Sequence, residues 1–546
     1  MGASPRSALS WLVATAAFAP HALAIPKTTV DLGYTKYVGQ ELSNGITQWL
    51  GMRYAAAPVG KLRFTPPEDP PHTGTTEQAN KHGNICLSTG QLKKQANHGE
   101  DCLFVDVQAP TNATVISKLP VFVYIHGGGF NTNSNPNVNA SGLIPAADYD
   151  MVFVSFNYRV GPYGFISDGG NKITANNGLR DQRKVFEWVQ KNIAKFGGDP
   201  KHVVIGGSSA GAESVTIHLT ADNGKDRGLF IGATAESPSF ALMLTEKEAE
   251  YQYRSFATRF GCVGKDSLSC LQSKTEDELQ AQNYNIPFPG GNKPPGYMWT
   301  PLIDGEFVPD YTYNLLDQGK FIKVPVIYGD DQNGGTKFVP QSTATQAEGN
   351  MYMLDQYPFF TLELLEEMNS LYPNTNMSCT SGDKGCFWRE TSNAYGESRY
   401  MCPAMAVGTA ISGYGVRNSY QYLWNVEDPD EIAQGLGVPH TVEFGAIVGP
   451  EFSPDSKVPK SYYKGGINEK ASSVVQKYWT NFIRSLNPNR AGRKCKTDQT
   501  VWERWSANST KRMVFQTGGK TEMLDIGDEL RERCAFWHRN AVALHV

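Results

Sequence analysis

Gly207-Ser208-Ser209-Ala210-Gly211 joins an apolar run, His202-Val203-Val204-Ile205-Gly206, to an Ala-rich segment, Ala212-Glu213-Ser214. The first run is β-branched and reads as a strand, while the second is helix-competent. A G-x-S-x-G pentapeptide at such a junction makes a turn so tight that small residues must flank it. That turn leaves the Ser209 hydroxyl exposed, where a nucleophile has to be. Gly, Ser and Ala also fill ordinary loops, so the pentapeptide gains its weight from what surrounds it.

Upstream, Leu119 to Ile125 is a continuous apolar run, as expected of a central strand buried on both faces. It leads straight into His126-Gly127-Gly128-Gly129-Phe130. Consecutive glycines let backbone N–H groups converge on one spot, which an oxyanion hole requires. Glu100 to Val107 alternates as a strand, and Met151 to Arg159 is another buried one. Gly178 to Phe196 has helical periodicity, with Val185, Trp188, Val189 and Ile193 on one face. Gly197-Gly198-Asp199-Pro200 should stop it. Downstream, sheet character returns at Val324 to Gly329 and Ser419 to Trp424. Alternating strands and helices predict an α/β fold with a mostly parallel central sheet and helices on both faces. The stretches Leu242 to Gly319 and Thr345 to Gly415 lack this pattern and are expected to be helical insertions around the mouth of the site. Without an internal repeat or linker, residues 25–546 are expected to form one domain.

The 546 residues are 40% hydrophobic and 19% charged, which argues against disorder. Net charge is −4 and no long basic run occurs, so nothing points to nucleic acid. Arg6, the apolar run Ala8 to Ala19 and Ala22-Leu23-Ala24 read as a signal peptide over residues 1–24. No stretch is long and apolar enough to be expected to span a membrane, so the chain reads as secreted and extracellular. Nine cysteines suit an oxidising compartment. Local spacing suggests Cys86 with Cys102, Cys262 with Cys270, and Cys379 with Cys386. Of Cys402, Cys495 and Cys534, one is left unpaired. Sequons at Asn112, Asn139, Asn376 and Asn508 are candidate glycosylation sites on surface loops.

Taken together, these segments resemble the type-B carboxylesterase/lipase family of α/β-hydrolases, nearest in pattern to its secreted fungal members. The resemblance spans nearly the whole mature chain. It runs through Tyr54 to Phe64, Glu100-Asp101-Cys102-Leu103, His126 to Phe130, Asn157-Tyr158-Arg159, Gly178-Leu179-Arg180-Asp181-Gln182 and Phe196 to Pro200. It continues through the Ser209 turn, Gly437-Val438-Pro439-His440 and Cys534-Ala535-Phe536-Trp537. The resemblance implies Ser209 as nucleophile, His440 as general base, and the N–H groups of Gly128, Gly129 and Ala210 as oxyanion donors. It also implies Cys402–Cys534 as a disulfide, which leaves Cys495 free, and Arg63 with Glu100 as a structural ion pair. No metal or cofactor is implied.

The chain departs from the family in three places. Ser208 stands where the family usually has an acidic residue. The loop Leu87 to Asp101 has no Phe, Tyr or Trp, which argues against a choline-binding site. It is also short and polar, with Leu87, Leu92 and Ala96 as its apolar residues, so it makes a poor lipase lid. Third, the family's relay acid lies in a loop close to G-D-x-x-x-E-G-T, whereas this chain reads Gly329-Asp330-Asp331-Gln332-Asn333-Gly334-Gly335-Thr336. Gly334 occupies the glutamate position. Asp331 is then the first candidate acid, Glu443 the second, Asp330 is expected to point away, and Gly334→Glu is expected to raise the rate. The reading is a secreted serine esterase acting on small-molecule esters through an acyl-enzyme on Ser209. The alternatives are a triacylglycerol or sterol-ester lipase, and a catalytically silent binding protein.

Overall fold

In the computed structural model, which describes residues 1–2, 28–374, 384–453, 458–490, 500–506 and 508–546, an eleven-stranded mixed sheet runs through the molecule. Its strands are β1 (Gln40–Glu41), β2 (Ile46–Arg53), β3 (Phe104–Pro110), β4 (Leu119–Ile125), β5 (Val152–Phe156), β6 (Gly198–Ser208), β7 (Gly232–Glu236), β8 (Val326–Asp331), β9 (Ser419–Asn425), β10 (Lys511–Gln516) and β11 (Lys520–Asp525). Their spatial order is β11-β10-β9-β8-β7-β6-β4-β5-β3-β2-β1. Pairing is parallel from β5 through β4 and β6 to β10, and antiparallel at both margins. This is the α/β-hydrolase architecture that the sequence pattern predicts.

The apolar run of β4 has a simple cause. Successive side chains of a strand point to opposite faces. Val121, Val123 and Ile125 enter one core, while Phe122 and Tyr124 enter the other. Helices cover both faces. Helix α1 (Asn177–Asn192) and helix α2 (Ala210–Gly224, with non-helical backbone at residues 221–223) pack into the first core. On the same side lies α3 (Cys402–Gly413), while α4 (Glu469–Ser485) fills the second core with Val475, Tyr478, Trp479, Phe482 and Ile483.

Several boundaries differ from the sequence reading. The helix ends as a 3-10 turn over Ile193–Phe196, and Gly197 at φ 89° closes it. Pro200 therefore lies inside β6 rather than in the stop signal. The strand read from Glu100 begins only at Phe104, because Glu100 turns inward to meet Arg63. Beyond the last strand read from the sequence, the hairpin β10–β11 extends the sheet past β9.

Disulfides join Cys86–Cys102, Cys262–Cys270 and Cys402–Cys534. Cys386 is disulfide-bonded, whereas Cys379, Cys495, Asn376 and the leader-like residues 3–24 lie outside the described residues. Asn112 and Asn508 are exposed, and Asn139 is half-buried, its Oδ1 accepting from the Ser141 N–H at 2.9 Å. Arg63 and Glu100 are paired in the interior, and the arginine also donates to the Leu271 carbonyl at 2.9 Å. Among the described residues no helix is long and apolar enough to cross a membrane.

Candidate active site

Strand β6 ends against β4 on one side and β7 on the other, with Gly207 level with Ile125 and Ser208 level with Glu236. The chain must then reverse into α2 within one residue. Ser209 takes φ 57° and ψ −123°, a conformation that L-residues avoid. Its N–H is held by the Glu236 carbonyl at 2.9 Å. The flanking glycines are obligatory for steric reasons. A Cβ on Gly207 would lie 2.6 Å from the Gly211 carbonyl carbon, and one on Gly211 would lie 2.1 Å from the Ile125 oxygen. Ser208, where the family usually has an acid, is buried with its hydroxyl 2.8 Å from that of Tyr124.

The glycines after β4 are packed just as tightly. A Cβ on Gly127 would meet the Ser209 Cβ at 2.9 Å. Gly128 sits at φ 114°, where a Cβ would lie 2.0 Å from the Thr132 carbonyl oxygen. On Gly129, at φ 59°, it would meet the Tyr297 ring at 2.2 Å. Among the described residues, no protein acceptor takes the N–H of Gly128, Gly129 or Ala210. An oxyanion hole needs such free donors.

Gly128, Ser209 and His440 line one cavity of about 260 Å³, together with Tyr297, Phe338 and Phe444. Of the two insertions expected at the mouth, Leu242 to Gly319 supplies Tyr297 to the cavity wall. The other, Thr345 to Gly415, supplies none of the wall among its described residues but packs Tyr400 behind His440. The imidazole is held by rings. It stacks on Tyr400 with centroids 4.0 Å apart and meets the edge of Phe338 at 5.4 Å. Among the described residues, neither ring nitrogen has a hydrogen-bond partner. Burial first, then the charges of Arg399 and Lys337, push its pKa down to about 3, so the resting imidazole is neutral and able to accept a proton.

Asp331 does reach the histidine's loop, through the backbone. Its Oδ2 accepts the Thr441 N–H at 2.6 Å and the Ser237 hydroxyl at 2.9 Å, while Oδ1 is unpartnered. Glu443 accepts from the same serine at 3.3 Å and from the Tyr422 hydroxyl at 3.0 Å. Burial pushes both carboxyls up; the charge of Glu443 raises Asp331 further, while the hydrogen bond to Asp331 draws Glu443 partly back. Asp330 points away, as strand alternation requires, and interacts with the charge of Arg512. At the family's acid position, a Cβ on Gly334 would lie 3.1 Å from Tyr400 Cδ2. A glutamate there would press on the ring behind His440, which would have to give by a few tenths of an ångström.

Tyr400 and Arg399 belong to a π-helical turn, Glu397–Met401, of the kind that recurs at functional sites. Sequence reasoning missed both, along with Tyr297, Lys337 and Phe338. No motif marks them, because they come from insertions or loops without a repeating pattern.

The Cys86–Cys102 loop is pinned down. Gln280 Nε2 donates to the carbonyls of Ser88 at 2.5 Å and Gln91 at 2.6 Å, and Lys94 pairs with Glu276.

Comparison with known proteins bears on the fold and the family. The carboxylesterase family matches residues 27–537. The crystal structure of Aspergillus niger EstA superposes with a TM-score of 0.89 at 38% identity, covering 95% of this chain and 99% of that one. Lipase 1 of Geotrichum candidum is 34% identical over 64% of this chain and 70% of its own length. Neuroligin-2 of mouse is 26% identical over 95% of this chain and 68% of its own. With its fold, its serine turn and its full-length match in agreement, the chain belongs to the carboxylesterase family.

Proposed function

We propose that the chain is a secreted serine carboxylesterase working through an acyl-enzyme. The observation that carries this reading is a single cavity lined by Ser209, His440 and Gly128. Ser209 Oγ attacks the ester carbonyl and its proton passes to His440. The oxyanion that forms is met by the N–H groups of Gly128, Gly129 and Ala210. His440 then protonates the leaving alcohol, and water, deprotonated by the same histidine, releases the acid. Asp331 is the acid of this proposal; it acts on His440 through the Thr441 N–H that it binds. An extracellular location is supported by the disulfides and by the similarity to secreted lipase 4 of Gibberella zeae, 27% identical over 95% of this chain and 92% of its own.

A catalytically silent binding protein is the second reading, favoured by the unpartnered His440 ring and by Gly334. A fluorophosphonate probe separates the two. Covalent labelling of folded protein, lost in Ser209→Ala, is expected; no labelling would overturn the esterase reading.

A further inference from the structure

Among the described residues, the charge that lines the catalytic cavity is of one sign. Among the described residues that line it, Lys337 has the one permanent charge and none is a carboxylate. The Lys337 ammonium pairs with Glu431 at 2.9 Å, and its side chain remains 39% exposed. An ammonium has three donors, so this pairing leaves others for a ligand.

A second cation lies behind the wall. Arg399 is 4% exposed, and its Nε donates to the Ser239 hydroxyl at 3.0 Å. Its guanidinium is 5.7 Å from the ring of Tyr297, which lines the cavity, and its Nη2 has no partner. Ser239 in turn gives its N–H to the Ser209 carbonyl at 3.3 Å, so the arginine sits one residue away from the nucleophile. Arg399 forms no ion pair among the described residues. The acid whose charge it feels is Glu213, one turn beyond Ser209, whose carboxyl is pushed up to about 8 by burial and so is neutral at neutral pH. Burying a cation is costly where no ion pair neutralises it, and a bound anion would offset part of that cost.

We propose that the cavity selects esters that carry a carboxylate on the acyl part, that is, half-esters of dicarboxylic acids. Lys337 is the direct contact, and Arg399 is a buried source of positive field behind Tyr297. This rests on the esterase reading of Ser209. The bound carboxylate takes no part in bond changes. Ser209 Oγ bonds to the ester carbon, the alcohol leaves with the proton held by His440, and water then releases the free diacid. Its negative charge, however, lies near the imidazolium as that cation forms. The substrate would thus supply a counter-charge for which this chain has no glutamate at position 334.

The test compares monoethyl glutarate with ethyl valerate, a neutral ester of equal acyl length, by ethanol release from purified full-length protein. A charge-assisted hydrogen bond of ordinary strength predicts kcat/KM at least about tenfold higher for the half-ester at low salt. Lys337→Gln should bring that ratio down several-fold, whereas Lys337→Arg should keep it. Because the two esters are compared on the same preparation, a partly folded variant does not disturb the ratio. A wild-type ratio below about tenfold, with ethyl valerate still hydrolysed, overturns this inference alone. A ratio that Lys337→Gln leaves unchanged overturns the assigned contact. If neither ester is hydrolysed and Ser209 takes no fluorophosphonate, the esterase reading fails and this inference with it.

Discussion

Ser209 holds a backbone conformation that costs a non-glycine residue about 1–3 kcal/mol, and the hydroxyl is the one group the site gains in return. Ser209→Ala is therefore expected to abolish turnover at unchanged melting temperature. Ser209→Gly should also abolish turnover but raise stability by about 1 kcal/mol, since glycine tolerates φ 57°. Thermal melts beside ester assays check both. Asp331 carries the next prediction. It accepts the Thr441 N–H adjacent to His440, and Asp331→Ala removes that acceptor, so this variant should lower kcat at least about tenfold with KM little changed. Glu443→Gln should do less, because Glu443 contacts Ser237 and Tyr422 rather than the histidine's loop. Near-native kcat in both variants would leave a Ser209–His440 dyad. Gly334→Glu is expected to lower the rate, because its Cβ would meet Tyr400 at 3.1 Å and press on the ring that stacks on His440. Adding Tyr400→Val should recover activity, and steady-state kinetics of the single and double variants decide it.

The strands nearest the serine were legible because both of their faces are buried, which writes an unbroken apolar run into the sequence. The hairpin β10–β11 was not. Lys511-Arg512-Met513-Val514-Phe515-Gln516 mixes charge with apolar residues, and β11 lies at the edge of the sheet with its side chains largely in solvent. The serine turn and the glycine wall could be read because close backbone contacts restrict those positions to one residue type. The sequence offered Asp331 only as a candidate acid, because Gly334 stands at the family's acid position and the contact of Asp331 with the Thr441 N–H is one that no motif encodes. The Cys86–Cys102 loop gives a prediction at this scale. Tied to Gln280 and Glu276, it has no large apolar face to uncover. Hydrolysis rates measured below and above the solubility limit of a short-chain ester should rise smoothly. A many-fold jump at saturation would show that some other segment acts as a lid.

Buried ionisable groups make the stability of the whole molecule depend on pH. Glu213, Glu236 and Asp330 are pushed up to about 8 by burial. Once unfolded they would ionise in the ordinary carboxylate range, so their contribution is complete at low pH and is lost as pH rises toward 8. His126 and His440 behave oppositely. Burial lowers them to about 4 and about 3, so their contribution is full above the free value of 6.5 and fades as pH falls. Between 6.5 and about 8 the carboxyls dominate, and the melting temperature should fall with rising pH at constant ionic strength. Glu236→Gln keeps an oxygen for the Trp479 indole N–H and should flatten that slope, which calorimetry would detect. The strand order has a consequence for synthesis. From β7 to β11 each strand lies beside the one made just before it, so a chain emerging from its N-terminus extends the sheet at an edge that already exists. The centre of the sheet is assembled out of sequence order. β5 inserts between β3 and β4, both made earlier, so their facing edges have no partner until Val152–Phe156 has emerged. Two apolar strands waiting with open edges make that interval the point in the life of the chain most exposed to pairing with a second copy.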